Sequence, residues 1–294
     1  MRRILWLLAV VFFAAGMIFD TVFLQNNIQF SENGISAGNA PVYAISTEPI
    51  FGDVSQKFVA HRGYSNGAPE NSVPAFELAG RCGFWGIETD IIESADGVFM
   101  CMHDETLERT TDGVGALSDY TYAQLMDFNI DKGSNIEQHQ DLKIPTMIEY
   151  LNICVINGCV PVIEIKSIRN YDAFLETIYN SGLQNRCIVT GGMPDLLEIR
   201  ARNDSIPLMP IGYSNKDYTY YLEQVSQLAD NRGILYNYPV VTEDVVRILH
   251  EQGIYCGVWS LDTADEAKKF LSYGVDFVVT NEIPGLNHMI NENE

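Results

Sequence analysis

Carboxylates at a two-residue spacing are the clearest chemical signal in this sequence of 294 residues. Glu88 and Asp90 lie in the apolar stretch 86–91, and Glu164 and Lys166 lie in the apolar stretch 162–166. Side chains alternate between the two faces of a β-strand, so each pair is predicted to point to one face. Strands of a parallel sheet are usually covered by apolar groups on both faces, and charged residues inside them therefore suggest a site.

Three carboxylates that converge predict either a metal site or a buried ion pair. In a low dielectric they repel one another, so some must be protonated or a cation must hold them. All-oxygen ligation by Glu88, Asp90 and Glu164 favours one divalent cation, Ca2+ or Mg2+, without distinguishing the two. The alternative is an ion pair between Glu88 and Lys166, with Asp90 solvated at a strand end. Spacing alone does not choose between them.

Two histidines end apolar runs and are candidates for acid-base catalysis. His61 follows residues 58–60, and His103 follows residues 98–102. One histidine at such a place is commonly structural, but two beside a carboxylate cluster suggest a general acid and a general base. Arg62, together with Lys166, offers positive charge for an anionic substrate. Gly63 would let the backbone approach a ligand.

The elements that must position these residues alternate between β-rich runs and helical stretches from residue 57 onward. The short turn at Asp96-Gly97 can join only antiparallel strands, which makes the third run one arm of a hairpin. The other eight runs predict an α/β fold, a TIM-type (β/α)8 barrel. The strand candidates are 57–63, 86–94, 98–104, 161–166, 187–192, 207–212, 233–238, 255–261 and 275–281.

The predicted helices include six that lie between these strands, and several begin with a residue typical of a helix cap. Residues 104–145, an insertion after the second strand and its hairpin, break the alternation and are expected to overhang the barrel mouth. The helices are 74–82, 173–181, 194–203, 219–230, 242–252 and 263–273.

The N-terminus predicts a membrane segment. In residues 1–24, two arginines precede a long apolar run, as in a signal anchor or a signal peptide. The arginines and the lack of a clear cleavage site favour an uncleaved anchor with the catalytic domain outside the cytoplasm; cleavage would make the protein secreted. Residues 25–54 have the composition of a polar tether, and residues 55–294 form the predicted barrel domain.

The composition excludes one class of partner and leaves one aromatic residue open. A formal net charge of −21 argues against nucleic acid, which is bound through basic surfaces. Trp259 is either a core residue or an aromatic wall of a binding site at the barrel mouth.

The motifs resemble those of the glycerophosphodiester phosphodiesterase family from Phe58 to Asn287. Two positions depart from the family pattern, with Asn281 and Glu282 after Thr280 where the family usually shows Thr-Asp, and with 190–192 where it often shows Ser-Phe. The matching motifs are His61-Arg62-Gly63, Pro69-Glu70-Asn71-Ser72, Glu88-x-Asp90, Asp96-Gly97, His103-Asp104, 106–111, Gly113-x-Gly115, 144–146 with Glu149, Glu164-Ile165-Lys166, Trp259 and 274–276.

The resemblance implies a reaction and residue roles. A small-molecule or lipid-derived phosphodiester would be hydrolysed to glycerol 3-phosphate and an alcohol, through a cyclic phosphate. Other members of the same fold would suggest a lysophospholipase D or a glycerol-phosphate polymer hydrolase, and a noncatalytic, cation-dependent surface binding protein is the more distant alternative. The implied roles are acid and base for His61 and His103, metal ligands for Glu88, Asp90 and Glu164, and phosphate contacts for Arg62 and Lys166.

Overall fold

The computed structural model describes residues 57–282. The predicted membrane segment at 1–24 and the predicted tether at 25–54 both lie outside the described residues. Within residues 57–282, the structure contains no helix with the length and apolarity that a bilayer crossing requires.

Eight parallel strands form a closed barrel, as the sequence predicts. The first strand pairs with the second at Val59–Gly86 and with the last at Val59–Val279, and these two pairings close the sheet. The parallel strands are β1 (Phe58–Ala60), β2 (Gly86–Glu93), β4 (Val160–Ser167), β5 (Ile188–Gly191), β6 (Leu208–Gly212), β7 (Arg232–Asn237), β8 (Ile254–Trp259) and β9 (Phe277–Thr280).

The predicted hairpin is also present. Strand β3 (Phe99–Cys101) pairs antiparallel with β2, placing Ile91 opposite Cys101 and Glu93 opposite Phe99. Residues 94–98, which connect the two strands, force this arrangement because they are too few for a parallel crossover. The second strand is therefore shared between the barrel and the hairpin.

Helices follow the barrel strands, and side-chain caps fix where several of them begin. Ser72, Thr146, Asn170, Thr242 and Thr263 each accept a hydrogen bond from a backbone N–H of the first helical turn, which satisfies an otherwise free donor. The helices are α1 (Val73–Arg81), α2 (Tyr122–Leu125), α3 (Met147–Asn157), α4 (Tyr171–Asn180), α5 (Met193–Arg200), α6 (Tyr218–Val225), α7 (Glu243–Glu251) and α8 (Ala264–Ser272).

Strand alternation separates a core inside the barrel from a core between barrel and helices. Val59, Val162 and Phe277 belong to the inner core, whereas Ile87 and Ile91 belong to the outer core. Because Ile87 and Ile91 face outward, the intervening residues of β2 at positions 88 and 90 face the barrel interior. The fold therefore sends the β2 carboxylates inward, in the direction that spacing predicts.

The insertion 104–145 is a folded unit with its own core. It contains short 3-10 turns at Leu117–Asp119 and Ile136–Gln138, with α2 between them. Its apolar side chains pack against the hairpin, which contributes Met100. Buried members of this insertion core are Leu107, Leu117, Leu125, Ile130 and Ile144.

The insertion core predicts a measurable stability difference. Leu125 is fully buried in α2, so Leu125→Ala should lower the free energy of unfolding by about 2–5 kcal/mol through lost burial and the cavity left behind. Val114 is 67% exposed in the same insertion, and Val114→Ala should change the free energy of unfolding by less than about 0.5 kcal/mol. Urea unfolding followed by circular dichroism measures both. Equal effects would show that the insertion is not packed as described.

Candidate active site

The carboxyl ends of the barrel strands surround a cavity of about 210 Å³. Most of the sequence-predicted site residues line it, and Asp90 is buried beside Glu88 and Glu164. One side of the cavity is charged and the other is apolar. The lining residues are His61, Arg62, Glu88, His103, Glu164, Lys166, Ile211, Tyr213, Leu235, Trp259 and Val279.

Strand register brings the three acidic residues together. Strands β2 and β4 are neighbours, and Asp90 is the registered partner of Glu164. Glu88 lies two residues before Asp90 on the same face of β2. As a result, Glu88, Asp90 and Glu164 each offer one carboxylate oxygen, and these oxygens lie within 4.8 Å of one another. Such a group can hold a metal ion.

Two cationic side chains accompany the carboxylates. Lys166 Nζ lies 2.5 Å from Glu164 Oε1 and 3.2 Å from Asp90 Oδ1, and Arg62 Nε lies 3.5 Å from Asp90 Oδ2. Asp90 is only 1% exposed. The alternative of a Glu88–Lys166 ion pair with a solvated Asp90 is therefore wrong, because Lys166 pairs with the other two carboxylates and Asp90 is buried.

The charges in this cluster do not balance. Burial raises the pKa of Glu88 well above its usual range, and repulsion from Asp90 and Glu164 raises it further. Burial and the neighbouring Asp90 also raise the pKa of Glu164. Burial alone would lower the pKa values of Lys166 and Arg62, but attraction to the carboxylates raises both. Three acidic groups thus face two bases.

One oxygen of the cluster lacks a protein partner. Glu88 Oε2 accepts a hydrogen bond from the backbone N–H of Arg62 at 2.7 Å. Glu88 Oε1 is buried and has no hydrogen-bond partner within the described part of the chain. A buried, unpartnered carboxylate oxygen next to two other carboxylates fits a hard cation, because such ions prefer oxygen ligands. The residues present therefore fit a divalent metal.

Asn71 fixes the orientation of Asp90. Its Nδ2 donates to Asp90 Oδ2 at 2.8 Å, and its Oδ1 accepts from the hydroxyl of Thr89 at 2.7 Å. Asn71 is buried and has a positive φ of 51°, a conformation that asparagine tolerates better than most residues. Sequence reasoning noted Asn71 only within a family motif and assigned it no role.

The loop after β1 is shaped by a close helix contact. Arg62 and Gly63 both have positive φ, 58° and 75°. A Cβ atom on Gly63 would lie 2.7 Å from the backbone carbonyl carbon of Ala75 in α1. Glycine is thus needed here for helix packing, whereas the sequence suggested that it lets the backbone approach a ligand. The turn aims the backbone N–H of Arg62 at Glu88.

His61 is held by a neutral amide. Its Nδ1 lies 2.7 Å from Asn281 Oδ1, and Asn281 Nδ2 donates to Asp262 Oδ2 at 3.0 Å. Since the amide nitrogen donates to Asp262, its carbonyl oxygen accepts the proton on Nδ1, which leaves Nε2 unprotonated. Desolvation and the neighbouring Arg62 charge lower the pKa of His61. This ring is suited to accept a proton.

His103 is held by an ionised carboxylate. Its Nδ1 lies 2.6 Å from Asp104 Oδ1. Hydrogen bonds from Arg109 lower the pKa of Asp104 to about 2. A carboxylate that accepts from Nδ1 fixes the orientation and the tautomer of an imidazole. The two histidines therefore differ in their partners, an amide for His61 and a carboxylate for His103.

An apolar wall faces the charged groups. Trp259 Nε1 donates to the carbonyl of Leu235 at 3.2 Å, and the Tyr213 ring stands nearly perpendicular to the Trp259 ring with centroids 6.1 Å apart. Trp259 thus packs on the barrel interior and also lines the cavity. The sequence left these two roles open. The sequence analysis did not identify Tyr213, Ile211 or Leu235 as residues of the cavity. Only Ile211 in β6 and Leu235 in β7 could have been identified, from the alternation of side chains along a strand.

Comparisons with known proteins agree with this geometry. Residues 61–284 match the glycerophosphoryl diester phosphodiesterase family model. A rat glycerophosphodiester phosphodiesterase 1 is 34% identical over 143 residues, which are 47% of this chain and 43% of that relative. The chain therefore aligns with less than half the length of that relative. A glycerophosphodiester phosphodiesterase of Caldanaerobacter subterraneus is 26% identical over 79% of this chain and 96% of the relative.

Solved structures show the same fold. A phosphodiesterase of Oleispira antarctica, in complex with the product sn-glycerol-3-phosphate, has a TM-score of 0.68 at 22% identity over 80% of this chain and 96% of that chain. A glycerophosphodiester phosphodiesterase of Agrobacterium tumefaciens has a TM-score of 0.66 at 21% identity over 77% and 96%. Because the family match covers well over half of the sequence, the chain belongs to the glycerophosphoryl diester phosphodiesterase family.

Proposed function

We propose that this protein is a metal-dependent glycerophosphodiester phosphodiesterase that releases glycerol 3-phosphate and an alcohol. The main support for this proposal is that one cavity brings together an acidic cluster and two histidines. One oxygen of the cluster has no partner, and the two histidines have different hydrogen-bond partners. Family membership supports the class of reaction. An acidic cluster alone would support only cation binding.

Glu88, Asp90 and Glu164 would hold the metal, Ca2+ or Mg2+. When bound, such a cation neutralises phosphodiester charge and lowers the pKa of an attacking hydroxyl. Arg62 and Lys166 line the same cavity and would contact the phosphate oxygens. These two side chains supply the local positive charge that an anionic substrate needs in a protein with a net charge of −21.

The partners of the two histidines support different roles for them. His61, held by an amide and with a lowered pKa, would accept the proton of a glycerol hydroxyl as that oxygen attacks phosphorus. His103, held by the Asp104 carboxylate, would donate a proton to the oxygen of the departing alcohol. Water would then open the cyclic phosphate, with the two proton transfers reversed.

The apolar wall supports a role in holding the non-phosphate part of the substrate. Trp259 would contact the glycerol or the alcohol group. Tyr213 is 54% exposed beside it, so a longer alcohol group can extend from the cavity into solvent. This observation keeps a lysophospholipase D or a polymer hydrolase as the second candidate. Turnover of a substrate panel distinguishes these from a noncatalytic binding protein.

Removing one ligand should abolish metal binding and hydrolysis together. Glu88→Gln keeps the shape of the side chain but removes its charge. We expect activity on glycerophosphocholine to fall more than about 100-fold, because mutation of a residue that only hydrogen-bonds to a metal ligand already lowers activity by about 10–100-fold. EDTA should have the same effect on the unmodified protein. Calorimetric Ca2+ and Mg2+ titration measures binding directly, with Glu77→Gln, on the exposed part of α1, as the matched control. Full activity in EDTA would disprove the metal requirement.

Loss of either imidazole should slow hydrolysis by about 10²–10⁴-fold, the usual contribution of general acid-base catalysis. His61→Ala and His103→Ala are the test variants, and His139→Ala, in the insertion, is the control. Steady-state kinetics on glycerophosphocholine gives kcat for each. If one variant kept the activity of the control, that histidine would have no catalytic role.

The lowered pKa of His61 predicts the pH below which activity is lost. A base must be neutral to work, so kcat/KM falls as pH drops through the pKa of His61. Desolvation and Arg62 place that pKa below the ordinary value of 6.5. The acidic limb of the kcat/KM profile should therefore have its midpoint below pH 6.5. A midpoint above this value would contradict the assignment of His61 as base.

A further inference from the structure

A continuous chain of ion pairs connects the loop after β1 to His103. Arg62 Nη1 lies 2.8 Å from Glu70 Oε1, and Glu70 in turn accepts two hydrogen bonds from Arg109. Arg109 also binds Asp104, whose Oδ1 lies 2.6 Å from His103 Nδ1. The predicted phosphate contact and the predicted acid are thus linked through side chains outside the cavity.

Arg109 is the centre of this chain because it binds two carboxylates at once. Its Nη1 and Nη2 donate to the two oxygens of Glu70 at 2.9 and 2.7 Å. Its Nε and Nη2 donate to the two oxygens of Asp104 at 2.5 and 3.1 Å. A planar guanidinium imposes fixed directions on both partners, which a lysine ammonium cannot do.

The insertion holds the backbone of Arg109 in place. Leu107, two residues earlier, is fully buried in the insertion core. The hydroxyl of Thr111 donates to the Leu107 carbonyl at 2.7 Å. Lys132 Nζ donates to the carbonyls of Glu108 and Thr111 at 3.0 and 2.9 Å. The segment that carries Arg109 is therefore anchored on both sides of it.

We infer that Arg109 is a positioning residue, which the insertion presents so that Asp104 is held against His103 and Glu70 against Arg62. This inference rests on the proposed function, in which His103 protonates the leaving group. Arg109 itself is not among the described residues that line the cavity. It acts through Asp104 and does not touch substrate.

Charge reinforces the geometry at both carboxylates. The hydrogen bonds from Arg109 hold the pKa of Asp104 at about 2. Burial would raise the pKa of Glu70, but Arg109 and Arg62 lower it to about 2. Both carboxylates therefore stay ionised at neutral pH, and Asp104 remains an anionic partner for His103 Nδ1.

A solvent-exposed ion pair of no consequence is the competing explanation, because many such pairs contribute nothing measurable. Arg109 is 44% exposed, so stability alone cannot separate the two explanations. Substrates with different leaving groups can separate them. A p-nitrophenolate departs without protonation, whereas choline needs a proton on its oxygen. Loss of a positioned acid must therefore slow hydrolysis of a choline ester more than that of a nitrophenyl ester.

The experiment compares glycerophosphocholine with the p-nitrophenyl ester of glycerol 3-phosphate in the full-length protein. Arg109→Gln should lower the single-turnover rate of choline release from glycerophosphocholine by about 10–100-fold, part of the general-acid contribution, and change the single-turnover rate of nitrophenolate release by less than about twofold. Arg109→Lys should resemble Arg109→Gln because one ammonium cannot span both carboxylates. Arg202→Gln is the matched control, since Arg202 also bridges two carboxylates, Asp172 and Glu198, on α4 and α5.

A second variant separates the two halves of the chain. Glu70→Gln leaves the pair between Arg109 and Asp104 intact but weakens the support of Arg62. It should raise KM for both esters to the same extent and leave the ratio of their kcat values unchanged, because phosphate binding is common to both substrates. A change in that ratio for Glu70→Gln would contradict the division of roles.

The outcomes distinguish the inference from the function on which it rests. If the unmodified protein hydrolyses neither ester, the proposed function is wrong and the inference is wrong with it. If it hydrolyses both and Arg109→Gln slows both equally, or slows neither, only the role of Arg109 is overturned. A selective loss with glycerophosphocholine, absent in Arg202→Gln, supports it.

Discussion

Mutual repulsion among three acidic side chains is the constraint on which the site depends. Glu88, Asp90 and Glu164 bring their oxygens within 4.8 Å of one another where water is largely excluded. Such an arrangement is costly unless positive charge or protons compensate it. Lys166 and Arg62 provide part of that charge, and the raised pKa of Glu88 indicates that the compensation is incomplete. A hard divalent cation would complete it and hold Glu88 as a carboxylate.

The barrel makes this arrangement possible through the register of its strands and through side-chain hydrogen bonds. Pairing of β2 with β4 fixes Asp90 beside Glu164, and the Asn71 amide fixes the rotamer of Asp90. The hairpin leads directly from β2 to His103, and His61 follows β1, which pairs with the start of β2. Each imidazole then meets a different partner, an amide or a carboxylate, which suits them to different proton transfers.

Much of the fold and of the cluster could be predicted because both depend on local periodicity. Alternation along a strand determines the face of Glu88 and Asp90, and the short turn at Gly97 determines the antiparallel hairpin. The partners of the histidines could not be predicted in the same way. Asn281 contacts His61 across 220 residues, and the pairing depends on barrel closure between β1 and β9. Sequence reasoning registered Asn281 only as a departure from a family pattern.

The link through Arg109 was equally hidden, since it depends on how the insertion folds. Glu70 and Arg109 are 39 residues apart, and neither lies in a periodic segment that would indicate its direction. The α3 helix also shows that the chain returns to the barrel immediately after the insertion, with Thr146 as its cap. The loops are thus the part of this structure that strand and helix patterns predict least well.

Anomalous diffraction from crystals grown with Ca2+ or Mn2+ would show whether the three carboxylates bind an ion. We expect one peak, bound by oxygens of Glu88, Asp90 and Glu164 at distances of about 2.0–2.6 Å. Lys166 should then contact the cluster less closely than the 2.5 Å that separates it from Glu164 here, because the ion replaces part of its role. A peak elsewhere, or no peak at millimolar metal with the ammonium still between the carboxylates, would contradict this expectation.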